Sequence, residues 1–151
     1  KGPGIEVDKN LDTVEIGKAV VRREGRSVAI LAFGSMVAPA LECGDKLNAT
    51  VVDMRFVKPI DEDLIGDMAA SHQLIVTLEE NSVMGGAGSA VNEYLLRSNY
   101  QIPILNLGLP DQFLEHGKVP EMLAQVDLDA ASITQAIKKK LMDCKIQSEA
   151  V

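Results

Sequence analysis

Four short segments are dominated by apolar residues: 27–33 (SVAILAF), 49–56 (ATVVDMRF), 74–78 (LIVTL) and 102–107 (IPILNL). A strand that is apolar on both of its alternating faces cannot leave one of them in water, so it must be covered on both sides. Between these runs lie stretches 36–47, 61–72 and 87–99, whose apolar residues recur at helical spacing. Buried strands alternating with amphipathic helices predict parallel strands joined by right-handed helical crossovers. The fold class expected is therefore α/β, with helices on both faces of one sheet.

Composition narrows this further. Hydrophobic residues make up 46% of 151 positions, but aromatics only 3%, and Trp is absent. An aliphatic core punctuated by glycine turns fits an α/β domain better than an aromatic-rich sandwich, and the length suits one domain. Twenty-two acidic against fifteen basic residues give a net charge of −7, which would repel a phosphate backbone and argues against a nucleic-acid partner. The basic clusters are Arg22-Arg23 and Lys138 to Lys140; the second is expected at the end of the last helix, facing its exposed carbonyls. Two cysteines do not make a disulfide scaffold or a zinc site, and Cys43 reads as a buried thiol on a helix. No apolar run approaches a membrane span and no signal-peptide pattern opens the sequence, so a cytoplasmic or equivalent reducing location is expected.

Residues 1–13 (KGPGIEVDKNLDT) read as an interdomain linker, and the initial Lys1 suggests a fragment cut within it. The domain is expected over 14–144, with a frayed tail at 145–151. Residues 14–16 and 19–21 are expected to form a first strand pair across Gly17-Lys18. Asp61 is a candidate N-cap, with Glu62 and Asp63 adding negative charge to the first turn. Gly117 is placed to close a short turn, Pro120 fits a first helical position, and Asp129 could cap a last helix. In that helix Ala130, Ile133, Ile137 and Leu141 make one apolar stripe.

Candidate chemistry gathers where the third apolar run ends. Open α/β sheets place ligands at the carboxyl ends of strands, and Glu79-Glu80 stand there, able in principle to act as acid, base or ligand. Neighbours on a strand point to opposite faces, so the two are not a ready-made dyad. The favoured reading is structural: one carboxylate caps amides of the following glycine-rich turn, while the other faces water or a neighbouring domain. That turn, Gly85-Gly86-Ala87-Gly88-Ser89, could bind an anion at a helix N-terminus. Its glycines do not make G-x-G-x-x-G and no Walker lysine follows, so close packing is preferred. Arg55 could pair with Glu79 or Glu80 across the sheet end, or reach over a domain boundary. Lys58, before Pro59, reads as a solvated turn residue. His72 ends a helix, and His116 (in LPDQFLEHGKVP) lies in a loop placed to meet a partner; no metal spacing joins them. Ser35 lacks the G-x-S-x-G frame of a nucleophile elbow.

Several segments in order, namely VEIGKAVVRREG, SVAILAFGSMV, VVDMRFVKPIDEDLI, HQLIVTLEENSVMGGAGSAVNEYL and ILNLGLPDQFLEHG, resemble the C-terminal domain of the 1-deoxy-D-xylulose 5-phosphate synthase family. These are thiamine-diphosphate enzymes of the transketolase superfamily, and the resemblance runs from about Val14 to about Leu141. It implies a five-stranded, mostly parallel sheet with one antiparallel edge strand, in a three-layer αβα arrangement, and a part in a homodimer. The parent enzyme would join pyruvate, after decarboxylation, to glyceraldehyde 3-phosphate, using thiamine diphosphate and Mg²⁺. In the family the diphosphate-binding G-D-G…N-N motif and the activating glutamate lie in earlier domains, and residues 1–4 (KGPG) resemble the remnant of the junction to them. Gly44-Asp45 is followed by Lys46 within a predicted helix and is not that motif. No catalytic, cofactor or metal residue is therefore expected in this chain, which should be inactive alone. The candidates for a ligand or a domain interface are Arg55, Glu79, Glu80, Gly85, Gly86 and His116, with a small-molecule or anion-binding regulatory module at Gly85 to Gly88 as the alternative.

Overall fold

The computed structural model describes residues 13–149, with side chains to residue 146. All but Thr13 of the segment read as a linker falls outside the described residues. The strands are β1 (Val20–Arg23), β2 (Val28–Ala32), β3 (Thr50–Asp53), β4 (Leu74–Ser82) and β5 (Ile104–Leu109). The helices are α1 (Val37–Leu47, after a 3-10 turn at Gly34–Met36), α2 (Glu62–Ser71), α3 (Ala87–Arg97), α4 (Val119–Gln125) and α5 (Ala130–Glu149). The strands form one sheet in the order β1-β3-β2-β4-β5. β2 runs parallel to both β3 and β4, β4 runs parallel to β5, and β1 is the antiparallel edge on β3.

The double-sided apolar pattern has its expected consequence. Every residue of the central strand β2 is buried, with Ile30 opposite Val51 on one side and Val76 on the other. One sheet face carries Val28, Ile30, Val51, Val76 and Leu78 against Ala40 and Cys43 of α1 and Ile133 and Ile137 of α5. The other carries Leu31, Val52 and Ile75 against Ile65 of α2 and Val91 and Leu95 of α3. The α5 stripe read from sequence is the part of that helix that enters the core, with Ala130 and Leu141 at its margins.

Both aspartate caps form. Asp61 is buried; its Oδ1 accepts from the Leu64 amide at 3.2 Å, while its Oδ2 accepts from the Ala19 amide at 2.9 Å. One side chain thus starts α2 and ties down the approach to β1. Asp129 accepts from the amides of Ala131 and Ser132 and from the Ser132 hydroxyl. The Ser132 hydroxyl first, then these amides, hold the Asp129 carboxyl below its ordinary range. A folded-state pKa below the unfolded one means a contribution present above the unfolded value, about 3.9, and lost as pH falls through the folded value. Asp129→Asn should therefore lower the urea midpoint at neutral pH, and the gap to the parent chain should close as pH falls through the lowered folded-state pKa of Asp129. A gap that is constant with pH would contradict this.

Several local expectations need correction. Residues 14–16 form no strand; Ile16-Gly17 sit in a turn that the Lys18 amide closes on the Glu15 carbonyl, the Lys18 side chain pairs with Asp63 at 3.2 Å, and only β1 lies on the exposed edge of β3. β3 stops at Asp53, short of Phe56, because Asp53 turns to bond Arg22 and the Arg55 amide. β4 continues past Leu78 to Ser82, so Glu79 and Glu80 lie within it. α5 does not end at Lys140: it runs to Glu149, which places Lys138 to Lys140 in mid-helix. Strong helix formers such as Lys, Leu, Met and Gln carry it on. Pro120 occupies the first turn of α4, where its missing N–H costs no helical bond.

Candidate functional site

The carboxyl ends of β2 and β4 border an open cleft of about 590 Å³, lined among others by Ser35, Val57, Glu79, Glu80, Gly85 and Gly86. Glu79 is only 3% exposed. Its Oε2 accepts from the Ala87 amide at 2.7 Å and its Oε1 from the Gly88 amide at 2.9 Å. The N-cap position of α3 is Gly86, which has no side chain to offer. The cap therefore arrives from the preceding strand, and its charge complements the positive end of the helix dipole.

This accounts for the glycines. A Cβ at Gly86 would stand 2.2 Å from the Ser82 carbonyl oxygen and 2.3 Å from Glu79 Oε2. A Cβ at Gly88 would stand 2.5 Å from Thr77 Oγ1. The turn is glycine-rich so that α3 can sit close on β4 and receive the carboxylate. The amides of Ala87 and Gly88, which an anion at this turn would need, are already held by that internal carboxylate.

Glu80 points the other way, is exposed, and accepts a hydrogen bond from the Ser35 hydroxyl on the neighbouring 3-10 turn. Arg55 does not reach either glutamate. β2 lies between β3 and β4, and Arg55 instead sits with Nε 4.0 Å from Asp53 Oδ2, at a left-handed φ of 56°. The better partner of Asp53 is Arg22, at 2.8 Å. Lys58 is exposed, as read from sequence. His116 lies apart from the glutamates, in the exposed connection between β5 and α4, beside a separate cavity of about 370 Å³ that Phe113 and Met122 also line.

His72 is tied into the fold from both ring nitrogens. Nδ1 is 3.1 Å from the Met68 carbonyl, which can only accept, so in the neutral ring Nδ1 carries the proton. Nε2, 2.7 Å from Thr50 Oγ1, then accepts from that hydroxyl. Sequence reasoning missed a polar triad beneath α3: Asn106 Nδ2 donates to Thr77 Oγ1 at 2.6 Å, and Asn92 Nδ2 donates to Asn106 Oδ1 at 2.9 Å. The signal was available, since Asn106 is the one polar side chain in ILNLGL, a strand with helices on its flanks.

Nothing at Gly44-Asp45 fits a diphosphate. Both lie inside α1, Asp45 pairs with Arg23 at 2.9 Å, and a Cβ at Gly44 would stand 2.6 Å from Val51 Cγ2. Among the described residues no three His, Cys, Asp or Glu side chains converge as metal ligands.

The molecule is thus a three-layer αβα domain whose polar groups at the strand ends largely hold its own turns together. Residues 17–133 match the family model described as transketolase, C-terminal domain, and the chain belongs to that family. It is 56% identical over 140 residues to 1-deoxy-D-xylulose-5-phosphate synthase of Pseudomonas fluorescens, and 58% identical over 140 residues to that of Pseudomonas syringae pv. tomato. Each match takes in 93% of this chain but only 22% of the relative's length. Among solved structures, a split-gene transketolase described as an inactive beta4 tetramer superposes with a TM-score of 0.81 at 38% identity, over 92% of this chain and 46% of that one. A transketolase mutant from Pichia stipitis, at 21% identity and a TM-score of 0.59, shares the fold over 82% of this chain and 18% of its own length.

Proposed function

We propose that this chain acts as the non-catalytic structural and assembly domain at the C-terminus of a 1-deoxy-D-xylulose 5-phosphate synthase. That enzyme would condense pyruvate, with decarboxylation, and glyceraldehyde 3-phosphate for isoprenoid, thiamine and pyridoxal synthesis. Thiamine diphosphate and Mg²⁺ would supply the carbanion chemistry from the other domains, in a cytoplasmic homodimer. The observation that carries this reading is the engagement of Glu79. The carboxylate best placed for catalysis is buried, and each of its oxygens accepts from a backbone amide. A general base needs an oxygen aimed at a substrate proton, and both oxygens of Glu79 are turned to the start of α3 instead.

Three measurements test it. Calorimetric titration of the chain with thiamine diphosphate and Mg²⁺ should give no binding heat. A chimera in which the chain replaces the matching 140 residues of the Pseudomonas fluorescens enzyme should retain synthase turnover. Glu79→Gln in that chimera should lower the thermal midpoint and leave turnover per folded molecule unchanged. Lost turnover at normal stability would make Glu79 part of the chemistry and overturn the reading.

A further inference from the structure

The carboxyl end of the sheet carries several of the large exposed apolar side chains. Phe113, in the β5–α4 connection, is fully exposed at 106%, Met84 in the β4–α3 connection is 72% exposed and Val119 at the start of α4 is 58% exposed. Val57, after β3, and Ile16, ahead of β1, are exposed as well. These five come from four separate stretches of chain, yet the topology gathers them. Parallel β3, β2, β4 and β5 all end on this side, and three interstrand spacings, roughly 14 Å, separate the first from the last. Beside Phe113 a cleft of about 490 Å³ opens between Leu109, Pro110, Leu114 and Met122. Asp111, Glu115 and His116 stand exposed around it. An apolar centre inside a polar margin is the anatomy of an interface core and rim.

We infer that this carboxyl-end surface, centred on Phe113, is where the preceding part of the same synthase polypeptide docks. The inference rests on the proposed function above. Its second support is where the chain enters the domain. Ala19 and Lys18 are held by Asp61 and Asp63 at the start of α2, and Gly17 lies against Pro59; a Cβ there would be 2.8 Å from its ring. Pro59 and Asp61 belong to the β3–α2 connection, so a segment arriving through Val14 reaches the domain at this end of the sheet. The matched region is 22% of the relatives' length, and the remainder is large enough to cover a rim 14 Å wide. Tethering at the same end gives that remainder a high effective concentration over the surface. The polar margin, His116 included, would then set orientation more than affinity.

Hydroxyl-radical footprinting of the chain alone and of the chimera tests this directly. Phe113 and Met84 should be labelled roughly fivefold more slowly in the chimera. Leu96 and Met142, 81% and 63% exposed elsewhere, should label equally in both. Phe113→Ser should leave the thermal midpoint of the isolated chain unchanged, since the ring touches little, but should restore Met84 labelling in the chimera. A chimera that turns over while Phe113 labels as fast as in the isolated chain overturns the docking surface and leaves the domain assignment standing. A protected rim in a chimera without turnover supports docking and counts against the assignment. If light scattering shows the isolated chain dimerising, and Phe113→Ser abolishes it, the occupant is a second copy and the inference falls.

Discussion

Glu79→Ala should cost about 3 kcal/mol, because it strips two buried helix-terminal amides of their only acceptor. The Ala87 and Gly88 N–H groups lie in the first turn of α3, where no carbonyl of the helix can reach them. Gly86 cannot substitute as a cap, and the close approach of α3 to β4 that the glycines permit leaves little room for water. Each orphaned buried donor costs roughly 1–3 kcal/mol, and the loss of a negative charge at the helix N-terminus adds up to about 1 kcal/mol more. Glu79→Gln keeps the volume and one acceptor oxygen, but turns an NH₂ group toward one of the amides. About half the loss should then remain. Urea unfolding at neutral pH, with an unchanged slope, measures both variants. A cost below about 0.5 kcal/mol for Glu79→Ala, the range of ordinary surface substitutions, would show that the cap holds nothing.

That capping role could be anticipated before the fold was known, because strand, carboxylate and glycine-rich helix start follow one another within ten residues. Local grammar of this sort also exposed Asp61 and Asp129, each of which bonds amides two or three residues downstream. The layers were equally legible, since apolarity on both faces of a strand admits few arrangements. What sequence order could not reveal was strand order. Arg55 and Glu79 both stand near carboxyl ends, and the expectation that they meet failed because β2 sits between their strands. The Thr77–Asn106–Asn92 triad has the same cause: its members lie on three elements, and only the β4–β5 register brings Asn106 opposite Thr77. Helix length misled in another way. The run Lys138 to Lys140 reads as a helix end, yet lysine is a good helix former and the run lies in mid-helix.

The largest effect in the opposite layer is expected from α5, where Ile137→Ala should cost about 3 kcal/mol. Ile137 has no exposed surface and stands with Ile133 against Ala40 and Cys43 of α1, across the sheet from α3. Truncation removes three carbons from a region where rigid β-branched neighbours can collapse only partly into the space. Ile146→Ala, on the same helix but 65% exposed, should stay within about 0.5 kcal/mol. Cys43 supplies a built-in reporter. Its thiol is buried and lies 3.3 Å from the Ala130 carbonyl at the start of α5. Burial, above all, pushes its pKa up and suppresses the reactive thiolate. A thiol reagent should reach Cys43 only when α5 lifts away or the domain unfolds, so its labelling rate follows the opening free energy when closing is fast. At 1.4 kcal/mol per tenfold, the Ile137→Ala loss corresponds to roughly a hundredfold faster labelling of Cys43. Cys144, only partly buried, should label at an unchanged rate in both chains. Equal acceleration by Ile146→Ala, or none by Ile137→Ala, would mean that the apolar stripe of α5 does not hold that face of the sheet closed.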